Sequence, residues 1–465
     1  MQMSKFHKKI IETRDPKYDG QFYFGVKTTK IYCRPTCPAR PKPENILIFN
    51  SSASAEEHGY RACKRCKPNY LSGVRKLPEE DNIINLALNL IDSELTTINI
   101  KILCEKLDLS DRHLRRVFNS RMGTSPQNHI SHQRISLAKT LLVGSKNTIT
   151  QIAFGSGFNS IRMFNTAFKK QVGVSPSLFR KDQKLDGILK NSIKMFYQIH
   201  PPYDWIYTLK FLKRHATFGL EVVENSLYTR YYPKNTKEYS MVEVSMKNKN
   251  TMQFNFINCE VEKISSYVHN LKRLFDVDHN PAHLENANTT QKSIRIPGGY
   301  NFLESTIGII LGQLISVEQA EAIFKKFVLM FGRKVKTNSD LEIYHFPSPK
   351  KIINANLLEI GMTKTKAHAI KEVARFYSKY KCDLNNWSKT EELMDHLSSI
   401  KGIGPWTTNL IRMRLFSQSD AMPKNDLFIQ RALDKKIIKL EDWVGFEPYL
   451  THILWRDHAQ ELKKK

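Results

Sequence analysis

At 465 residues the chain is too long for one hydrophobic core, and about three domains are expected. Apolar residues at 41% and aromatics at 10% exclude global disorder. With 72 Lys+Arg against 45 Asp+Glu the formal charge is +27, a field that draws phosphate polymers and speeds their encounter with the protein.

The chain starts MQMSKFHKKIIETRD, without an apolar signal core, and no run approaches about 18 apolar residues. A cytoplasmic, nucleoid-associated protein with no membrane partner is expected. Residues 1–76 are rich in turns, Pro and Cys. Cys33 and Cys37 form C-x3-C, and Cys63 and Cys66 form C-x2-C after a 25-residue gap. Two such pairs close into a tetrahedral four-thiolate site, whose usual occupant is one Zn2+. A purely structural zinc is the plain alternative. Against it stand Arg34, Arg40, Arg61, Lys64, Arg65 and Lys67 around the cysteines, which suit a DNA backbone. A zinc held by four thiolates also carries a formal charge near about −2, so its sulfurs stay nucleophilic at neutral pH.

The run FYFGVKTTKIYCRPTCPARPKPENILIF followed by AEEHGYRACKRCKP resembles the amino-terminal domain of the Ada family. The resemblance implies that Cys33 takes a methyl group irreversibly from a DNA methylphosphotriester, with Cys37, Cys63 and Cys66 as the other ligands. Methylation turns a thiolate into a neutral thioether. That relieves repulsion from DNA phosphates worth about 1–3 kcal/mol and makes tighter DNA binding the expected outcome.

Residues 80–182 read as short amphipathic helices containing an internal repeat. Sliding 100–126 by 50 residues onto 150–176 superposes Ile102/Ile152, Ser110/Ser160, Arg112/Arg162, Phe118/Phe168, Gly123/Gly173, Ser125/Ser175 and Pro126/Pro176. Each copy predicts a helix, a turn and a second helix opening at a Ser N-cap. Arg112 and Arg162 fall in the first turn of that second helix, where a recognition helix meets DNA. His113, Arg115, Arg116 and Asn165 are further exposed candidates, while Leu114, Val117 and Phe118 should face the core. The segment resembles the AraC-type regulator domain, most clearly in GFNSIRMFNTAFKKQVGVSP. Promoter DNA and RNA polymerase are the partners this implies.

A basic linker is expected at roughly 181–195. Residues 218–258 read as strand-like, and helical periodicity returns from about 299 to 465. LSSIKGIGPWT places Gly402 and Gly404 between two helical patterns, where outward-facing amides cradle a phosphate. Asp426 follows Thr407 by nineteen residues. This pairing, with HPPYDWIYTLKFLKRHA and IRIPGGYNFLESTIGIILGQLISVEQA, resembles the helix-hairpin-helix glycosylases of the AlkA (3-methyladenine DNA glycosylase) type. The resemblance implies that Asp426 is the catalytic carboxylate and that Leu314, after Gln313, fills the stack vacated by a flipped base. It implies an α/β subdomain over 196–290 followed by a helix-hairpin-helix glycosylase domain over 291–465, that Trp406 and Phe446 line the base pocket, and that Gln313, Gly402, Gly404 and Thr407 meet DNA. Bifunctional relatives carry a Lys where Trp406 stands, so monofunctional base excision is expected.

The expected fold is multidomain and mainly α with small α+β parts: a zinc-bound Ada-type domain, two AraC-type helix-turn-helix units, and an α/β subdomain with a helix-hairpin-helix glycosylase. The expected function is excision of alkylated bases from double-stranded DNA combined with methyl-triggered transcriptional activation. The alternative is a damage-responsive regulator with an inactive glycosylase half. No Pro-Cys-His-Arg motif surrounds Cys104, Cys259 or Cys382, so O6-alkylguanine repair is not expected.

Overall fold

The computed structural model describes residues 3–68, 82–181, 189, 191–287, 291–337, 340–380, 390–434 and 440–461. The module limits expected at 76, 80, 182 and 290 lie outside the described residues, as does Cys382. Two compact units result: Met1–Ile199 with Cys259–His269 and Val277–Ala282, and His200–Asn258 with Asn270–Asp276 and His283–Lys465. Among the described residues no helix is long and apolar enough to cross a membrane.

The first unit opens with α1 (Lys5–Thr13), capped by the Ser4 hydroxyl accepting the His7 N–H. Strands β1 (Tyr23–Val26), β2 (Ile31–Cys33) and β3 (Ile46–Phe49), helix α2 (Ser52–Glu57) and strand β4 (Arg61–Ala62) follow. The sheet order is β3-β1-β2-β4, antiparallel except for the parallel pairing of β2 with β4. Phe24 and Ile48 are buried here beside Cys33, Cys37 and Cys66, so the small core is built partly on the cysteines.

Seven helices form the next module: α3 (Asn82–Ser93), α4 (Ile100–Leu107), α5 (Asp111–Met122), α6 (Pro126–Gly144), α7 (Ile149–Gly155), α8 (Ile161–Val172) and α9 (Pro176–Lys181). The repeat seen in the sequence is a repeat of caps. The Ser110 hydroxyl accepts the His113 N–H at 3.2 Å to start α5, and Ser160 accepts the Met163 N–H at 3.2 Å to start α8. Gly123 and Gly173 end those helices at φ 66° and 90°, a left-handed conformation costly for a residue with a Cβ. Leu114, Phe118, Phe164 and Phe168 are buried at helical spacing.

The linker expected to reach residue 195 is shorter than that, because β5 spans Ser192–Gln198. Its start is held by a bridge between Ser145 and Ile193. The α6 backbone approaches so closely that a Cβ on Gly144 would lie 2.0 Å from the Lys194 carbonyl oxygen.

In the second unit, α10 (Trp205–Arg214) precedes β6 (Glu221–Glu224), β7 (Leu227–Pro233), β8 (Tyr239–Asn248) and β9 (Thr251–Ile257), antiparallel neighbours in that order. Helix α11 (Ile264–Leu274) follows in sequence, then α12 (Phe302–Leu311), α13 (Val317–Phe331), the short strands β10 (Arg333–Lys334) and β11 (Tyr344–His345), α14 (Pro349–Asn354), α15 (Lys364–Tyr380), α16 (Thr390–Ser399), α17 (Pro405–Phe416), α18 (Leu427–Asp434) and α19 (Glu447–Glu461). The buried Arg230 guanidinium on β7 pairs with Glu304 on α12 at 2.7 Å and Glu221 on β6 at 3.0 Å, which pins the sheet to the helices. Phe324, Phe327 and Phe331 on α13 are core, as their helical spacing predicts.

Candidate functional sites

The zinc centre follows from strand pairing. β2 ends at Cys33, and its parallel partner β4 ends one residue before Cys63. The Cys63 N–H donates to the Tyr32 carbonyl at 3.0 Å, so both cysteine pairs leave the sheet at the same edge. The four sulfurs lie within 4.8 Å of one another. Ligand bonds of about 2.3 Å around a tetrahedral ion require sulfurs about 3.8 Å apart, so the set fits one Zn2+. As thiols, their mutual hydrogen bonds push Cys33 well above the usual range and Cys37 well below it. Four thiolates can share this space when a cation neutralises them. One Zn2+ bound by Cys33, Cys37, Cys63 and Cys66 accounts for the cluster. Cys63 is the partly exposed member, whereas Cys33 is 2% exposed.

Asp19 was not singled out in the sequence, and nothing local marks it. Its carboxylate accepts the Thr36 N–H at 3.1 Å and the Thr36 hydroxyl at 2.6 Å, and lies 3.4 Å from Arg34. It thereby fixes the turn between Cys33 and Cys37. Arg34 is thus partly committed to Asp19, while Arg65 is exposed.

In the helix-turn-helix pair, Arg112 and Arg162 are exposed in the first turns of α5 and α8, with Arg116 and Asn165 beside them. His113 is half-buried. Arg115 is held by the Asp111 carboxylate at 2.8 and 2.9 Å.

In the second unit, the α16–α17 hairpin brings Trp406 to Asp426. The indole Nε1–H donates to Asp426 Oδ2 at 3.3 Å, and Oδ1 accepts the Phe428 and Ile429 N–H groups at 3.0 and 3.3 Å, capping α18. One oxygen is fixed by the helix start, while the other faces the aromatic wall. Gly402 adopts φ 99°, and a Cβ there would meet Thr365 Cγ2 at 2.7 Å. Gly404 starts α17 with open space where a side chain would be. Leu314 is 103% exposed at φ 57°. Two expected DNA contacts turn inward: the Thr407 side chain is buried, and its hydroxyl accepts the Gln313 Nε2–H at 2.7 Å. Phe446 packs with the cluster of Met422, Trp443 and Tyr449.

The arrangement defines a class of protein in which a four-cysteine zinc module and a double helix-turn-helix are joined to a helix-hairpin-helix module. Three family models match in the same order: "Metal binding domain of Ada" over residues 7–69, "Helix-turn-helix domain" over 103–182 and "AlkA N-terminal domain" over 194–300. The chain is 23% identical to the Mycobacterium tuberculosis "Probable bifunctional transcriptional activator/DNA repair enzyme AlkA", over 96% of this chain and 95% of that one. It is 33% identical to the Bacillus subtilis "Bifunctional transcriptional activator/DNA repair enzyme AdaA", over 38% of this chain and 83% of the relative. It is 27% identical to the Escherichia coli "DNA-3-methyladenine glycosylase 2", over 50% and 84% of the two chains. The chain belongs to the Ada family of bifunctional transcriptional activator/DNA repair enzymes, with an AlkA-type half at its carboxy-terminal side.

Proposed function

We propose that this protein excises alkylated purines from duplex DNA and accepts a methyl group from DNA phosphotriesters on Cys33, which activates transcription through its helix-turn-helix pair. The observation that carries the excision reading is the Asp426 carboxylate beside the Trp406 indole. Alkylation at purine N3 or N7 makes the base cationic, and an electron-rich indole favours such a base by about 1–2 kcal/mol. As the C1′–N bond breaks, the departing base takes the electron pair and is neutralised. The sugar becomes cationic. Asp426 stabilises that charge and orients the water that adds to C1′, whose proton it accepts. No amine stands at position 406 to form a Schiff base, so the product is an abasic site with an intact strand.

The methyl-transfer reading is supported by the Ada-type zinc module. Bound zinc keeps the sulfurs ionised. The Cys33 sulfur attacks the methyl carbon, the C–O bond breaks, and the phosphate oxygen leaves as an anion. The resulting thioether is not turned over, so each chain acts once. Loss of one negative charge beside the DNA phosphates tightens binding, and the promoter-bound protein recruits RNA polymerase at the nucleoid.

One experiment tests both reactions. The full chain is incubated with methylated duplex DNA; released bases are counted by chromatography and the methyl on protein is located by mass spectrometry. Release of 3-methyladenine that Asp426→Asn abolishes, with a methyl on Cys33, is expected. A methyl on the more exposed Cys63 would reassign the acceptor, and no released base would leave a regulator with an inactive glycosylase half.

A further inference from the structure

Leu314 stands out of the second unit on the turn between α12 and α13. Helix α12 ends at Leu311, and the carbonyls of its last residues have no successors in the helix to pair with. Leu314 itself sits at φ 57°, a region that residues with a Cβ avoid unless their surroundings hold them there. Helix α13 starts three residues later, behind a capping box in which the Ser316 hydroxyl accepts the Gln319 N–H. Between the two helices, the turn is held from two sides. The Gln313 side chain donates to the Gly402 carbonyl at 2.9 Å and the Thr407 hydroxyl at 2.7 Å, which ties it to the hairpin. From the other side, the Lys366 ammonium on α15 donates to the Leu311 carbonyl at 2.9 Å and the Gln313 carbonyl at 2.7 Å.

We infer that Lys366 is a positioning residue for base flipping: its ammonium clamps the two carbonyls flanking the turn, so that Leu314 enters the DNA stack from a preset conformation. This rests on the reading of the second unit as a base-excising glycosylase and of Leu314 as its stack filler. The chemistry is specific to a flexible cation. An ammonium offers three donors to two carbonyl oxygens at a helix end whose dipole is negative. A residue that merely filled space there would leave both carbonyls unpaired and the turn free to relax from its left-handed state. Leu314 would then have to be ordered at the moment of flipping, and the cost would fall on extrusion of the base rather than on bond breaking.

The test uses the full chain and two duplexes carrying 7-methylguanine, one paired with cytosine and one opposite an abasic analogue, where extrusion is less costly. Single-turnover excision rates are measured on both. Lys366→Met is expected to slow the paired substrate about tenfold and the unpaired one about twofold or less, while Lys366→Arg restores most of the paired rate. Leu314→Ala is expected to show the same pattern. The ratio of the two rates comes from one protein preparation, so partial misfolding cannot imitate it. Equal slowing on both duplexes, or no slowing on either, would overturn the clamp while leaving the glycosylase reading in place. A wild-type chain that releases base from neither duplex would sink that reading and the clamp with it.

Discussion

Glu56 of the zinc module lies 3.3 Å from His132 of the helix-turn-helix module, with side chains only 7% and 9% exposed. The same carboxylate accepts the Tyr32 hydroxyl at 2.9 Å and the Gln171 amide at 2.8 Å. Tyr32 immediately precedes the ligand Cys33, His132 lies on α6, and Gln171 lies on α8. Its neighbour Glu57 accepts from Thr124 and Asn128, both at 2.7 Å. Two adjacent acids at the end of α2 therefore join the zinc module to both helix-turn-helix units.

Removing Glu56 should separate the modules. Burial pushes its carboxyl up, but His132, Lys139 and Gln171 outweigh that and hold it at about 2. Glu56→Ala strands the buried His132 and Tyr32, and a loss of about 3 kcal/mol is expected in the unfolding transition of the first unit. Glu57, itself exposed like its partner Asn128, should cost about 1 kcal/mol as Ala. Urea unfolding followed by limited proteolysis at the module junction reads both values. A Glu56→Ala chain as stable as the wild type would show that the Glu56 carboxylate is not what joins the modules.

Asp19 should govern how tightly zinc is held without touching it. Its grip on Thr36 and Arg34 sets the Cys33–Cys37 turn. Outer partners of this kind contribute about 10–100-fold in metal affinity. Asp19→Ala is expected to lose zinc to a colorimetric chelator at a concentration at least about tenfold lower than the wild type needs. An unchanged release curve would argue that the ligand turn is rigid by itself.

The parts of this molecule legible in its sequence are those encoded locally. Ser110 and Ser160, Gly123 and Gly173 reveal themselves because caps and left-handed turns demand particular residue types at fixed spacing. The four cysteines are legible because tetrahedral ligation tolerates few alternatives. What joins distant segments is not. The parallel pairing of β2 with β4, the grip of Asp19 on Thr36, and the bonds of Glu56 and Glu57 depend on which segments meet in space. An acid at the end of a short helix looks like a solvated charge until its partners arrive from 76 and 115 residues away, as His132 and Gln171 do for Glu56. Thr407 misleads in the opposite direction: a polar residue beside a glycine hairpin looks exposed, yet Gln313 draws its hydroxyl inward.

The second unit should lose stability in mild acid. Burial, aided by the Arg414 charge, lowers His452 to about 3. The unfolded chain protonates this imidazole near the ordinary value of 6.5. Between those limits the unfolded state binds more protons, so stability is complete above pH 6.5 and falls as pH drops towards 3. This histidine contributes a slope of up to about 1.4 kcal/mol per pH unit. His452→Gln should flatten the dependence measured for this unit between pH 7 and 5 by that amount. A slope unaltered by that substitution would place the acid sensitivity elsewhere.

The hairpin glycines should separate folding from DNA contact. Gly402 needs its left-handed backbone, and a methyl group there would collide with Thr365. Gly402→Ala is therefore expected to destabilise the second unit by about 1–3 kcal/mol and to weaken duplex binding only as a consequence. Gly404 has an ordinary φ of −102° and open space on its missing side chain. Gly404→Ala should change stability by less than about 0.5 kcal/mol. If the amides at the start of α17 cradle a phosphate, the added methyl group stands in the path of that phosphate. Duplex affinity should then fall about tenfold, a larger loss than the melting temperature would suggest. Fluorescence anisotropy on the Asp426→Asn background measures affinity without turnover. An unchanged dissociation constant for Gly404→Ala would remove the hairpin from the DNA interface, and the open space beside residue 404 would then need another explanation.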